Sequence, residues 1–434
     1  MRAELERLDC GMEAMFLQHR PQSQGTSARL MFKTGALQEG PQDVPGTAHF
    51  LEHVAVLTGT TSYPTAQKLL NAMDRYDTKM LAYTDWTSTW IEVNGLEAEF
   101  VIALCMEMGF APLLGEAAVE QDRTAIMEEA RGYLHSPSSV MLDSIYKLFV
   151  GDHRSRSVTG SIDDIKSMTP EGIAAFHATH WTPRNARLHV VSHEPLTKLR
   201  RYANRTAAAL GLVDRVVTEP KHLSLPWLTG DSDVIVEHSF VQDQQAEVFV
   251  AYPLANPQTM DENVLDVAAT DLLREALWRE MRIGKNVTYH AYAGNESISN
   301  ASHGAKETYN AICLTGAIAP ERIDQFLEGI DRLVERLPSL KLLAGNVKRE
   351  YLYWLAGKSL LTRSELADDL LNADQIGYQK LYDPDLEEKI IRKLRIIDIL
   401  KRAQEMLMGN RIVHIAGPSL SGIKGIDVVA ATRR

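Results

Sequence analysis

The chain has 434 residues, 45% hydrophobic and 24% charged, with a formal net charge of −11. That length exceeds one compact core and suits two domains of ordinary size, and the composition is that of a soluble globular protein. The acidic balance, with no long basic run, argues against nucleic acid and membrane as partners.

The opening residues "MRAELERLDCGMEAMF" carry no apolar h-region, so no signal peptide is expected. Cys10, Cys105 and Cys313 are odd in number and far apart, which fits a reducing, cytoplasmic compartment and excludes a cysteine-built metal site. "ARLMFKTGA" (28–36) reads as a strand ending in a glycine turn. A helix is predicted over "GTAHFLEHVAVL", a second over 63–76 with Pro64 in its first turn, and a strand over 88–95 from its alternation. Helices are predicted at about 96–113 and 117–134, then over "VMLDSIYKLFV" and over 169–181, capped by Thr169. A strand follows at 186–192. "TEPKHLSLPWLTGDSD" (218–233), spaced by Pro and Gly, is the linker candidate. Beyond it the order recurs, with a strand at 246–253 and a long helix at 261–282. "KIIRKLRIIDILKRAQEML" places Ile390, Ile391, Leu394, Ile397 and Leu400 at helical spacing and is read as a core-packing helix.

These elements predict an α+β fold of two similar domains, each a mostly antiparallel sheet with helices packed on one face. The division is 1–217, a linker at 218–229, and 230–434. The helix "ENVLDVAATDLLREALW" of the second half has no histidine, so the duplication carries one metal site.

The chemistry concentrates in His49, Glu52 and His53. On a helix these three share a face, while Phe50, Leu51 and Val54 turn inward. Two imidazoles at i and i+4 can reach one zinc ion, and an acid between them suits a base that takes a proton from water at the metal. H-x-x-E-H is the inverzincin signature. A catalytic zinc takes three protein ligands, and "EQDRTAIMEEARGY" offers Asp122, Glu128 and Glu129 for the third.

With these motifs the chain resembles the pitrilysin-clan metallopeptidases, the small two-domain bacterial members and mitochondrial processing peptidase subunits among them. "GTAHFLEH", "LTGT", "HWTPRNARLHVV" and "LWREMRIGKNVTYHAYAG" carry the resemblance along the chain. It implies that Glu129 completes a zinc site with His49 and His53, and that Asp122, seven residues earlier, supports a ligating imidazole. It implies Glu52 as catalytic base, and Arg282 and Tyr289 as substrate-holding and oxyanion-supporting residues of the second domain. Leu81 stands where the family has asparagine, with Ala82 retained, so this part of the substrate wall is altered. The family acts on peptides inside a chamber of four such domains, which implies a homodimer, or a heterodimer with a related chain. The resemblance thus implies a zinc-dependent endopeptidase, with a catalytically silent assembly subunit as the alternative.

Overall fold

Apolar runs and turn residues divide the chain into strands and helices much as their periodicity predicts. In this computed structural model the described residues are 2–19, 25–134, 157–212, 234–239, 245–284, 287–288, 290–299, 308–375, 381–409, 411–417 and 428–430. The first half contains β1 (Ala3–Arg7), β2 (Glu13–Gln18), β3 (Thr26–Phe32), α1 (Thr47–Leu57), α2 (Ala66–Arg75), β4 (Lys79–Thr84) and β5 (Thr89–Gly95). It continues with α3 (Ala98–Phe110), α4 (Glu116–Leu134), α5 (Ile162–Ser167), α6 (Pro170–His180), β6 (Ala186–Ser192) and α7 (Leu196–Ala209). The second half opens with β7 (Val234–Ser239), β8 (Ala246–Leu254) and α8 (Met260–Trp278), which widens into a π-turn over Arg279–Gly284. Then come β9 (His290–Ser299), β10 (Thr308–Ile318), α9 (Ile323–Arg336), α10 (Lys341–Gly357) and α11 (Arg363–Gln375). The chain closes with β11 (Leu381–Tyr382), α12 (Pro384–Lys393), α13 (Ile396–Met406), β12 (Ile412–Gly417) and β13 (Val428–Ala430).

Two sheets result, ordered β11-β1-β2-β6-β3-β5-β4 and β13-β7-β12-β8-β10-β9. The run β2-β6-β3-β5-β4 repeats as β7-β12-β8-β10-β9. In each run the first pair is parallel and the other pairs are antiparallel. The two halves are therefore one fold written twice, and α1 and α8 are equivalent helices.

In the first half Ala28, Leu30, Ile91, Val93, Leu188 and Val190 pack with Phe50, Leu51, Val54 and the nearly all-apolar α3. Val248, Val250, Ile312 and Leu314 meet α8 and α10 in the same way in the second. One segment crosses the division drawn from the sequence. α11 and β11 belong to 230–434, yet Leu366, Ala367, Leu370 and Tyr382 cover Met15, Leu17 and Val191 on the opposite face of the first sheet. There the buried Arg29 pairs with Glu92 and reaches Asp368 of α11 at 2.6 Å, and Ser364 donates to Glu92 at 2.8 Å. Arg29 also stacks 4.2 Å from the centroid of Trp90.

Some boundaries move for local reasons. The helix predicted over 63–76 begins at Ala66, because the Thr65 hydroxyl accepts from the Lys68 amide at 3.2 Å and Pro64 falls before that cap. The basic segment of 389–407 is two helices and not one. Leu394 and Arg395 are extended, and Asp398 takes the Arg395 amide at 3.3 Å to start α13. The restart leaves Ile397 52% exposed, while Ile390, Ile391 and Leu400 stay in the core. The long helix expected to 282 is α-helical to Trp278 and runs on as the π-turn to Gly284. The helix read in "VMLDSIYKLFV" and the linker 218–229 lie outside the described residues. The three cysteines are buried and form no disulfide among the described residues. No helix among the described residues is long and apolar enough to cross a membrane.

Candidate active site

α1 begins at Gly46, which sits at φ +88° in the left-handed region that glycine alone enters cheaply. A Cβ there would lie 2.5 Å from the Thr159 carbonyl oxygen, so the entry to α1 rests backbone to backbone on residues 159–160. Glu39 then caps the helix, accepting from the Gly46 amide at 3.1 Å and the Ala48 amide at 3.0 Å. That satisfies amides the helix cannot, and it places negative charge at the positive end of the helix dipole. With Phe50, Leu51 and Val54 in the core, His49, Glu52 and His53 are left on the flank facing α4 and the β4–β5 hairpin.

α4 buries Val119, Asp122, Ile126 and Ala130 along one stripe. Arg123 fixes its position, donating to the carbonyls of Ile165 and, at 2.9 Å, Met168 at the end of α5, with its guanidinium 5.5 Å from the Phe50 ring centroid. Glu129 lies beside the stripe, where its carboxylate spans both imidazoles. His49 Nε2 is 3.5 Å from Oε1, and His53 Nε2 is 3.1 Å from Oε2. The candidate ligand atoms of these three residues lie within 4.8 Å of one another. Donors bound tetrahedrally at about 2.0–2.1 Å would stand roughly 3.3 Å apart, so the observed spacing fits a zinc ion. Glu128 points elsewhere and pairs with Arg131.

Electrostatics follow from the crowding. Hydrogen bonding to His49 and His53 holds the Glu129 carboxyl well below the usual carboxylate range. Burial pushes the Glu52 carboxyl up, and the charges of His49 and His53 offset this only in part. For His53, burial favours the neutral ring, but Glu129, Glu52 and Asp122 together raise it. Asp122 is itself raised by burial. Asp122 raises His53 through its charge. Its Oδ2 and the Nδ1 atoms of both histidines are buried without hydrogen-bond partners among the described residues.

The other predicted residues fall as follows. Leu81 and Ala82 lie on β4, the edge strand of the first sheet. Ala82 turns with Met80 and Thr84 toward the helix layer, whereas Leu81 and Tyr83, 55% and 54% exposed, face the other side. Arg282 is half-buried in the π-turn after α8, a different part of the molecule from the triad's helices. Tyr289 lies outside the described residues. Sequence reasoning missed Thr84, which donates to Glu52 Oε2 at 3.0 Å. The signal was present in "AYTDWTST", where paired threonines flank a tight turn.

Comparison with known proteins adds the following. Residues 14–160 match the family model described as insulinase, peptidase family M16, and residues 167–345 match the model of the peptidase M16 inactive domain. An uncharacterised zinc protease of Mycobacterium leprae is 25% identical over 312 residues, which are 70% of this chain and 67% of that protein. A protease from Helicobacter pylori shares the fold with a TM-score of 0.79 at 18% identity, covering 96% of this chain and 99% of its own. The periplasmic protease PqqL of Escherichia coli does so with a TM-score of 0.73 at 16% identity, covering 95% of this chain and 47% of its own.

Proposed function

The chain belongs to peptidase family M16, and from that premise we propose that it is a zinc-dependent endopeptidase. The observation that carries the reading is the convergence of His49, His53 and Glu129 on one point beside a buried Glu52. Three protein donors leave a position for water, as catalytic sites require, whereas a structural site would close with a fourth. Zinc held there would supply a Lewis acid that acidifies water and polarises the scissile carbonyl.

The chain's own groups do the rest. Glu52, raised by burial, suits a base that accepts the proton from water and returns it to the leaving amine. The edge of β4, which pairs with β5 alone among the described strands, offers backbone donors and acceptors to an extended peptide running past α1. Arg282 would hold substrate, and Tyr289 would donate to the developing oxyanion, a contact worth about 3–4 kcal/mol of barrier.

PqqL is about twice the length that this chain covers, so two copies of the chain would supply an equal number of sheets. In the homodimer we propose, Arg282 and Tyr289 of each chain serve the zinc site of the other. The test incubates zinc-loaded protein with a peptide library and reads cleavage by mass spectrometry beside Glu52→Gln. Cleavage by the wild type, reduced about 100- to 10,000-fold in the variant, is expected. Zinc-loaded wild type that leaves every peptide intact would instead favour the silent assembly subunit.

A further inference from the structure

Glu52 is held by more than its own helix. Its Oε2 accepts from Thr84 Oγ1 at 3.0 Å, Thr84 Oγ1 lies 3.2 Å from Thr89 Oγ1, and Thr89 donates to the Thr34 carbonyl at 2.9 Å. Thr84 has one hydroxyl proton, and a carboxylate is a stronger acceptor than a second hydroxyl. The proton therefore goes to Glu52, and with the Thr89 proton on the Thr34 carbonyl the contact between the two threonines is packing and not a hydrogen bond. All three side chains are buried, Glu52 at 7% exposure, Thr84 at 5% and Thr89 at 0%. Among the described residues no donor reaches Glu52 Oε1.

The hairpin that carries the two threonines is rigid for independent reasons. Thr84 and Thr89 are the last paired residues of β4 and β5. Between them Asp85 Oδ1 accepts from the Thr87 and Ser88 amides at 2.6 Å each, and the Asp85 amide reaches the Ser88 carbonyl at 2.9 Å. The turn is also bonded to the segment after β3, with Ala36 N to Asp85 O at 3.1 Å and Leu37 N to Trp86 O at 2.8 Å. A Cβ on Gly35 would lie 2.2 Å from the Asp85 carbonyl oxygen, so that approach is close-packed. The effect is to fix the height of Thr84 against α1.

We propose that Thr84 is a positioning residue that pins one oxygen of Glu52 and leaves Oε1 as the oxygen that exchanges protons in peptide hydrolysis. Without the pin, the carboxylate can rotate about its terminal torsion, which is intrinsically broad, and the base spends less time aligned. This rests on the peptidase reading. Proton transfer is sensitive to alignment, and supporting contacts of this kind are worth about 10- to 100-fold.

The test compares Thr84→Val, which keeps the shape and removes the hydroxyl, with Thr84→Ser, which keeps the hydroxyl. In Thr84→Val kcat should fall about 10- to 100-fold while KM and zinc content stay at wild-type values, and Thr84→Ser should recover most of the rate. Crystal structures of the zinc-loaded variants give a second readout, with the Glu52 carboxylate rotated in Thr84→Val and in place in Thr84→Ser. An unchanged rate and an unmoved carboxylate in Thr84→Val would overturn the proposal, as would a Ser variant as impaired as the Val variant. Wild-type protein that cleaves no peptide would count against the peptidase reading, and the carboxylate position would then decide the role of Thr84 alone.

Discussion

Glu129 reaches both imidazoles from a helix position next to the buried stripe of α4, with its side chain 49% exposed. That phase explains why three acids on one helix were hard to rank from spacing. Asp122 and Glu129 lie close to two turns apart, but only the stripe of Val119, Asp122, Ile126 and Ala130 shows which way 129 turns and that 128 turns out. His49, Glu52 and His53 were legible because the helical period alone places them together. Thr84 was not, since its partner is 32 residues away across the edge of a sheet. The residue-scale prediction separates ligands from neighbours. His53→Ala and Glu129→Ala should lose the metal, while Glu128→Ala and Glu52→Gln should each keep one zinc per chain. Metal analysis of the four purified variants checks it, and zinc lost from Glu128→Ala but kept by Glu129→Ala would reverse the assignment.

Elements with strong local signals lie where the sequence puts them. β6 runs over 186–192, and α6 starts at the Thr169 cap, whose hydroxyl takes the Gly172 amide at 3.2 Å. The 389–407 segment was read as continuous because its apolar spacing survives the break, while the feature that breaks it, Asp398 folding back on Arg395, is a single local contact. Strand faces were legible only once pairing was known. Thr84 turns toward Glu52, so alternation sends Leu81 and Tyr83 to the opposite side of β4. A peptide pairing with that edge would alternate likewise, and its side chains on the far side would pass Leu81. Leu81→Asn should therefore change which residues are tolerated there, widening the peptides cut without altering zinc content. Cleavage profiles on a peptide library measure this, and an unchanged profile would show that Leu81 does not meet substrate.

At the scale of the whole molecule, the repeated strand order makes the chain a pair of equivalent units, only one of which carries histidines on its first long helix. The duplication was legible from the recurrence of strand and long helix after residue 233; the return of α11 and β11 to the first sheet was not, because nothing local marks which sheet a short strand joins. A homodimer in which each chain completes the other's site predicts complementation. Glu52→Gln and Tyr289→Phe should each be impaired, the latter about 100- to 1000-fold. Subunits mixed and allowed to exchange should regain activity, since a mixed pair has one site with both groups intact. Exchange without recovered activity would refute the cross-chain arrangement.

That return of α11 and β11 also sets an order of events during synthesis. β6 closes the centre of the first sheet, but the helix that covers Met15, Leu17 and Val191 follows only after roughly 170 further residues, some 10–30 s at ordinary rates of translation. Through that interval the emerging first half holds a bare apolar face, with Arg29 and Glu92 beside it and their α11 partners not yet made. The first unit on the ribosome is thus an unfinished one until the second unit delivers the missing helix.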